Sequence, residues 1–184
     1  TWQGGALKQN MTGVFRARLS DFTKTDYTAL VTTETAGTFS LGVGSGTLPV
    51  LLGEISNHAA SGDSETSDML YIFQVPNNYI AGQSFVLRTK AAMFTTGGTA
   101  ATKTIDVLAF LLGDDGTIGA DICSTAAQNL TDAAPADLDW TINPATITPG
   151  SVVAFQITTV VSNDNSTDCQ AEISDVEIRC TINN

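Results

Sequence analysis

His58 is the single histidine of the chain, so any mechanism that needs an imidazole base must run through it. No Gly-x-Ser-x-Gly elbow accompanies it, and no second histidine can complete a Ser–His or Cys–His pair. It reads as a solvated loop residue. Asp114-Asp115-Gly116 with Asp121 places three carboxylates in one loop. Calcium takes oxygen ligands from such loops, but the spacing lacks a closing glutamate. A Gly-Asp-Asp-Gly turn between strands accounts for the same letters. Asp63, Glu65 and Asp68, with Asp137 and Asp139, could supply the two carboxylates of glycoside hydrolysis only if they converged across a sugar. Nothing in their spacing brings them together. Carbohydrate-binding sandwiches stack sugars on exposed aromatics, and here Trp2, Tyr27, Tyr71, Tyr79 and Trp140 are the candidates, most of them at core-facing or turn positions. The expectation is a chain without catalytic residues, cofactor ligands or a metal site. It is not read as an enzyme.

Composition narrows the partners. The formal net charge is −11, which argues against nucleic acid, whose phosphates need clustered Lys and Arg. No apolar run approaches the length of a membrane-spanning helix, so no membrane partner is expected. The charges are segregated. Lys8, Arg16, Arg18 and Lys24 are half of the eight basic residues, with Asp21 the only acid among the first 24 positions. Beyond Lys103, Arg179 is the only basic residue. A basic N-terminal arm that docks on a partner and an acidic, soluble body follow from that pattern. Cys123, Cys169 and Cys180 form no Cys-x-x-Cys pair and are odd in number. Cys180 reads as a small buried hydrophobe, a Cys123–Cys169 bridge is left open, and a reducing cytoplasm suits all three.

The elements that must position these residues are strands. Residues 1–12 carry no periodicity and read as an extended arm; 13–184 read as one domain. Strands are expected at Val14–Leu19, Asp26–Thr35, Thr38–Val43 and Leu48–Ile55. A strand grammar is then stated twice. Leu70-x-Ile72, Pro76, Ala81-Gly82 and Phe85-x-Leu87 align without a gap on Leu138-x-Trp140, Pro144, Pro149-Gly150 and Val153-x-Phe155. Ile105, Leu108, Phe110 and Leu112 likewise fall on Ile173, Val176, Ile178 and Cys180. Proline ends a strand, glycine turns the chain, and period-two apolar residues mark the next half-buried strand. This places strands near 68–75, 84–94, 102–112, 138–143, 151–161 and 169–182, with a loop through 113–137. In the last strand the inward set changes parity after Ala171 and Ile173, which requires a β-bulge at Ser174-Asp175. No long helix is visible; Ala126–Leu130 could form one turn. About nine strands with duplicated halves predict an all-β fold, an antiparallel, jelly-roll-like β-sandwich with an extended N-terminal arm.

Asp21-Phe-Thr-Lys-Thr-Asp-Tyr27, Gly53-Glu54-Ile55, Phe73-x-Val75-Pro76, Tyr79-x-Ala81-Gly82, Gln128-x-Leu130-Thr131 and Pro149-Gly150 resemble the phrasing of small β-sandwich proteins encoded among phage head genes. Several of these are decoration, or cement, proteins of tailed-bacteriophage capsids. The resemblance implies a non-enzymatic protein on the outer capsid surface. It would be made in the host cytoplasm and bind the major capsid protein as a homotrimer. The basic N-terminal stretch is the expected capsid contact, with Trp2, Lys8, Arg16, Arg18 and Lys24 as its residues. The alternative is a receptor- or carbohydrate-binding module of a phage fibre, or a surface adhesin or filament subunit.

Overall fold

The computed structural model describes residues 9–32, 37–43, 49–53, 64–95, 100–132, 134–163 and 169–183. Among them run twelve strands: β1 (Asn10–Arg16), β2 (Phe22–Thr23), β3 (Ser40–Val43), β4 (Pro49–Leu52), β5 (Ser64–Gln74), β6 (Phe85–Thr95), β7 (Ala100–Leu112), β8 (Ile118–Asp121), β9 (Gln128–Asn129), β10 (Ala136–Thr141), β11 (Val152–Asn163) and β12 (Cys169–Asn183). Sheet I has the order β10-β6-β12-β4-β3, with β1 also on β12; sheet II has the order β2-β5-β11-β7-β8, with β9 also on β7. All of these strand pairs are antiparallel. The series β1-β12-β6-β10 facing β5-β11-β7-β8 is the two-Greek-key weave of a jelly roll. The all-β antiparallel sandwich read from the sequence is the fold observed; of the expected arm, residues 1–8 lie outside the described residues and 10–12 belong to β1.

The two stated halves interlock rather than sit side by side. In sheet I the first-half strand β6 lies between β10 and β12, and in sheet II the second-half strand β11 lies between β5 and β7. Exchanging the halves exchanges the sheets. The matched turns have the chemistry the repeat implied. Thr148-Pro149-Gly150-Ser151 closes with Ser151 N–H donating to Thr148 O at 3.1 Å, and Gln83 N–H donates to Ile80 O at 3.1 Å. Gly82 and Gly150 sit at φ 76° and 82°, the third position of a type II turn, where a side chain is strained.

The core lies between the sheets. Phe39, Phe85, Phe155 and Trp140 are fully buried there with Met69, Leu87, Ile105 and Ile178. Tyr71 stacks on Phe155 at 6.1 Å between ring centroids, and Tyr79 meets Phe85 edge-on at 5.6 Å. Val153, Phe155, Ile157 and Val161 all point inward, as their period-two spacing required. The bulge in β12 is present: its register on β6 shifts between Ile173 and Asp175. Ser174, the extra residue, turns its Oγ to donate to Lys90 O at 3.1 Å.

Several expectations are corrected. The repeat matches Leu70 and Ile72 to Leu138 and Trp140, yet they face outward from sheet II, and Met69, Tyr71 and Phe73 are the inward set. Leu108, Phe110 and Leu112 also lie on the outer face, while Ile105, Val107 and Ala109 are buried. The strand expected at Asp26–Thr35 begins as a turn instead. Asp26 Oδ1 accepts from Thr28 N–H at 2.9 Å and from Thr28 Oγ1 at 2.6 Å, an Asx-type bond that competes with a ladder. Residues 33–35 of that span lie outside the described residues. β1 begins at Asn10, and the loop expected through 113–137 contains β8 and β9. Gln128, within the span read as one helical turn, pairs with Ile105 instead. The Cys123–Cys169 bridge that the sequence leaves open is not formed, and all three cysteines are free thiols.

Candidate functional site

The outer faces of the two sheets have opposite chemistry. On sheet I the register aligns Arg16, Glu177, Arg88 and Asp139 in one cross-strand row, so charges alternate in sign over β1, β12, β6 and β10. Asp175, Lys90 and Asp137 form a second row beside it. Opposite charges directly across an antiparallel pair attract. Arg88 is bidentate on Asp139, with Nε to Oδ1 at 2.5 Å and Nη2 to Oδ2 at 2.6 Å, and Nη1 reaches Asp137 at 3.1 Å. The Arg88 hydrogen bond holds the Asp139 carboxyl below its ordinary range, and the same bond raises the guanidinium. Glu177, only 4% exposed, receives Arg179 on one oxygen and Arg16 Nε at 3.4 Å on the other. The notch over this network, about 180 Å³, is lined by cations and carboxylates, of which Arg16, Arg88 and Arg179 pair with Asp137, Asp175 and Glu177.

On sheet II the rows are apolar. Ile72, Ala154 and Phe110 lie side by side, as do Val152, Leu112 and Ile118. Ile72 and Ile118 are 43% and 60% exposed. Ile118 borders a shallow groove of about 390 Å³ whose floor includes Leu70, Phe110 and Leu112, with Asp68 and Gln156 as polar groups. Asp68 accepts a hydrogen bond from Thr158 Oγ1 at 2.5 Å. Tyr27 stands at the lip, 56% exposed and at φ 64°, a left-handed conformation that costs a non-glycine residue about 1 kcal/mol. A turn holds it there: Tyr27 N–H donates to Lys24 O at 2.9 Å and Lys24 N–H to Thr28 O at 2.8 Å.

The residues singled out in the sequence fall differently from one another. Arg16 belongs to the sheet I network, 3.8 Å from Asp175, so its charge is already answered within the chain. Arg18 follows β1, where its N–H donates to Asp21 Oδ2 at 2.7 Å. Lys24 follows β2 of sheet II. Trp2 and Lys8, like His58 and Asp63, lie outside the described residues. Asp68 sits on the outer face of sheet II and Asp137 and Asp139 on that of sheet I, so they cannot share one sugar. Asp115 Oδ1 accepts from Thr117 N–H at 3.0 Å and Oγ1 at 2.7 Å, while Asp121 Oδ1 accepts from Ala109 and Cys123 N–H, each at 2.9 Å. These carboxylates serve turns and strand ends. Among the described residues no group of three or more His, Cys, Asp or Glu is placed to hold a metal. Tyr71, Tyr79 and Trp140 are 5%, 3% and 0% exposed, which leaves Tyr27 as the tyrosine open to a ligand.

No family model matches the chain, and neither does any curated protein. Similar solved structures are known. A carbohydrate-binding module of the β-sandwich superfamily is 11% identical at a TM-score of 0.40, over 94% of this chain and 59% of that one. The enzymatically active domain of tailspike protein 4 of bacteriophage CBA120 is 15% identical at 0.41, over 90% and 19%. A chain of infectious bursal disease virus, Gt strain, is 14% identical at 0.32, over 94% and 53%. This chain therefore spans about three fifths of the first and under a fifth of the second. At these values the likenesses carry no argument about what the chain binds. The sheet network and the groove were missed in the sequence because both are made by register between strands far apart in the chain.

Proposed function

We propose that the chain is a non-enzymatic structural protein of a phage particle that decorates and stabilises the capsid by binding the major capsid protein. What supports this reading is the outer face of sheet II, an exposed apolar surface rimmed by polar groups on an otherwise charged, soluble body. Such patches mark protein contact surfaces. The other face, self-neutralised by its ion pairs, suits exposure to solvent. The capsid as partner rests on the resemblance in strand and turn phrasing.

Co-sedimentation with undecorated heads tests it. Full-length protein is expected to pellet with the particles. Ile72→Glu with Ile118→Glu, both at exposed positions, should abolish binding and leave the melting temperature within a few degrees. Removal of residues 1–8 should weaken binding. The cut stops there because residues 10–12 belong to β1, paired with residues 181–183. Full occupancy by both variants would sink the reading.

A carbohydrate- or receptor-binding module is the second reading, favoured by Tyr27. An exposed ring beside Asp68 and Gln156 can stack on the apolar face of a pyranose while the polar pair takes its hydroxyls. Glycan-array binding that disappears in Tyr27→Ala, with unfolding unchanged, is the expected result. An array without signal, or one that Tyr27→Ala leaves intact, rejects it.

A further inference from the structure

The geometry points to β1 as a self-association edge: we propose that β1 pairs antiparallel with β1 of a second copy about a two-fold axis at Gly13, joining the two copies of sheet I into one. This is independent of the capsid reading.

β1 has β12 as its strand partner along its whole length, from Asn10 opposite Asn183 to Arg16 opposite Glu177. Just past its end Ala17 N–H donates to Val176 O at 2.9 Å, which fixes the phase of the ladder. In antiparallel pairs the bonding residues alternate, so Phe15, Gly13 and Met11 turn their backbone groups to β12. Thr12 and Val14, with Asn10 and Arg16, turn theirs to the open side. The other edges are covered or broken. β10 is capped by Ser124 N–H on Thr141 O, by Gln128 Nε2 on Asp139 O and by Thr125 Oγ1 on Thr141 N–H, each at 2.9 Å. β3 is capped by Leu41 N–H on Val31 O at 2.8 Å. β8 is four residues long, pairs irregularly with β7 and ends in Asp121.

β1 lacks these protections. Its sequence Asn-Met-Thr-Gly-Val-Phe-Arg has no proline, lysine or acid, the devices that keep edge strands apart. Met11 and Val14 are 47% and 50% exposed. A second copy is the occupant because the full-length register is self-complementary, as a two-fold interface requires. Pairing all seven residues sets Thr12 opposite Val14 and Asn10 opposite Arg16 of the other copy. Every outward-turned residue then meets an outward-turned residue, and the only charge in the strand meets an amide.

The test is solution mass by light scattering with amide exchange on the full chain. The expected result is a dimer of two 19.2 kDa chains, with Thr12 and Val14 amides protected at high concentration and exchanging freely on dilution. Val14→Pro should give a folded monomer, because the N–H it deletes bonds to nothing among the described residues of one copy and proline is tolerated on such an edge. Val14→Lys should do the same and carries the test if the proline variant does not fold. A monomer at the highest soluble concentration, a trimer as the family resemblance implies, or a dimer indifferent to both variants overturns the proposal.

Discussion

Trp140→Ala is expected to cost about 3–5 kcal/mol of folding stability, the range for emptying a large aromatic site in a close-packed interior. Trp140 is fully buried although β10 is the last strand of sheet I. Its ring is thus what ties that edge strand to the core, opposite Leu87 of β6. Trp140→Phe should cost much less. The indole Nε1 is buried with no acceptor among the described residues, so phenylalanine gives up volume but no hydrogen bond, and it relieves an unmet donor. Urea unfolding with circular dichroism checks both variants. An alanine variant with an unchanged midpoint would contradict the burial. The result also bears on function: loss of glycan binding in Trp140→Ala would report unfolding, so Tyr27 is where the carbohydrate reading must be tested.

The sequence carried the weave further than it carried the faces. Alternation, proline stops and two Pro/Ala-Gly turns sufficed to place the six long strands within a few residues, because each signal is local to one strand or turn. The parity change in β12 was legible for the same reason: Ile173 and Val176 are three apart, and period two cannot span that without an added residue. The faces of β5 and β7 were not legible. Both carry apolar residues on two sides, Met69 to Phe73 inward and Leu70 with Ile72 outward, so alternation alone cannot choose. The gapless repeat then chose wrongly. The bulge at Ser174 adds a residue to β12 that β7 lacks, so Val107 and Ala109, not Leu108 and Phe110, correspond to Val176 and Ile178.

That same error hid the candidate site. The repeat matches Leu70, Ile72, Phe110 and Leu112 to Leu138, Trp140, Ile178 and Cys180, and in that company they explain nothing about binding. Turned outward by one residue they become the apolar face of sheet II. The sheet I network failed for a different reason. Arg16, Glu177, Arg88 and Asp139 lie on four separate strands, and their neighbourhood depends on strand order across both halves of the chain. Arg16, read as part of a basic arm, also pairs with Glu177 and Asp175 from the acidic C-terminal strand.

Stability should fall steeply on the alkaline side. Burial pushes the Tyr71 hydroxyl up to about 12, with the charge of Asp21 adding to it, and burial alone pushes the Cys180 thiol up to about 11. Tyr79 moves the same way, burial again being the larger cause. These groups are kept neutral by the fold. When the folded value lies above the unfolded one, the stabilisation is complete below the unfolded value, near 9 for the thiol and 10 for tyrosine, and is lost as pH climbs towards the folded value. At about 1.4 kcal/mol for each pH unit between those values, Tyr71 and Cys180 each remove about 2–3 kcal/mol by pH 12. Asp139 works in the opposite sense: its lowered value adds stability above the ordinary carboxylate range that is lost as pH falls. With its side chain 46% exposed, that contribution is small and salt-screened. Melting temperature is therefore expected to be nearly level through neutral pH and to drop above pH 9, and Tyr71→Phe should remove the share of the drop beginning near 10 that Tyr71 contributes, leaving that of Tyr79. A melting temperature level up to pH 11.5, or an alkaline limb identical in Tyr71→Phe, would mean that these groups ionise freely in the folded protein and that the core at β5 and β12 admits water.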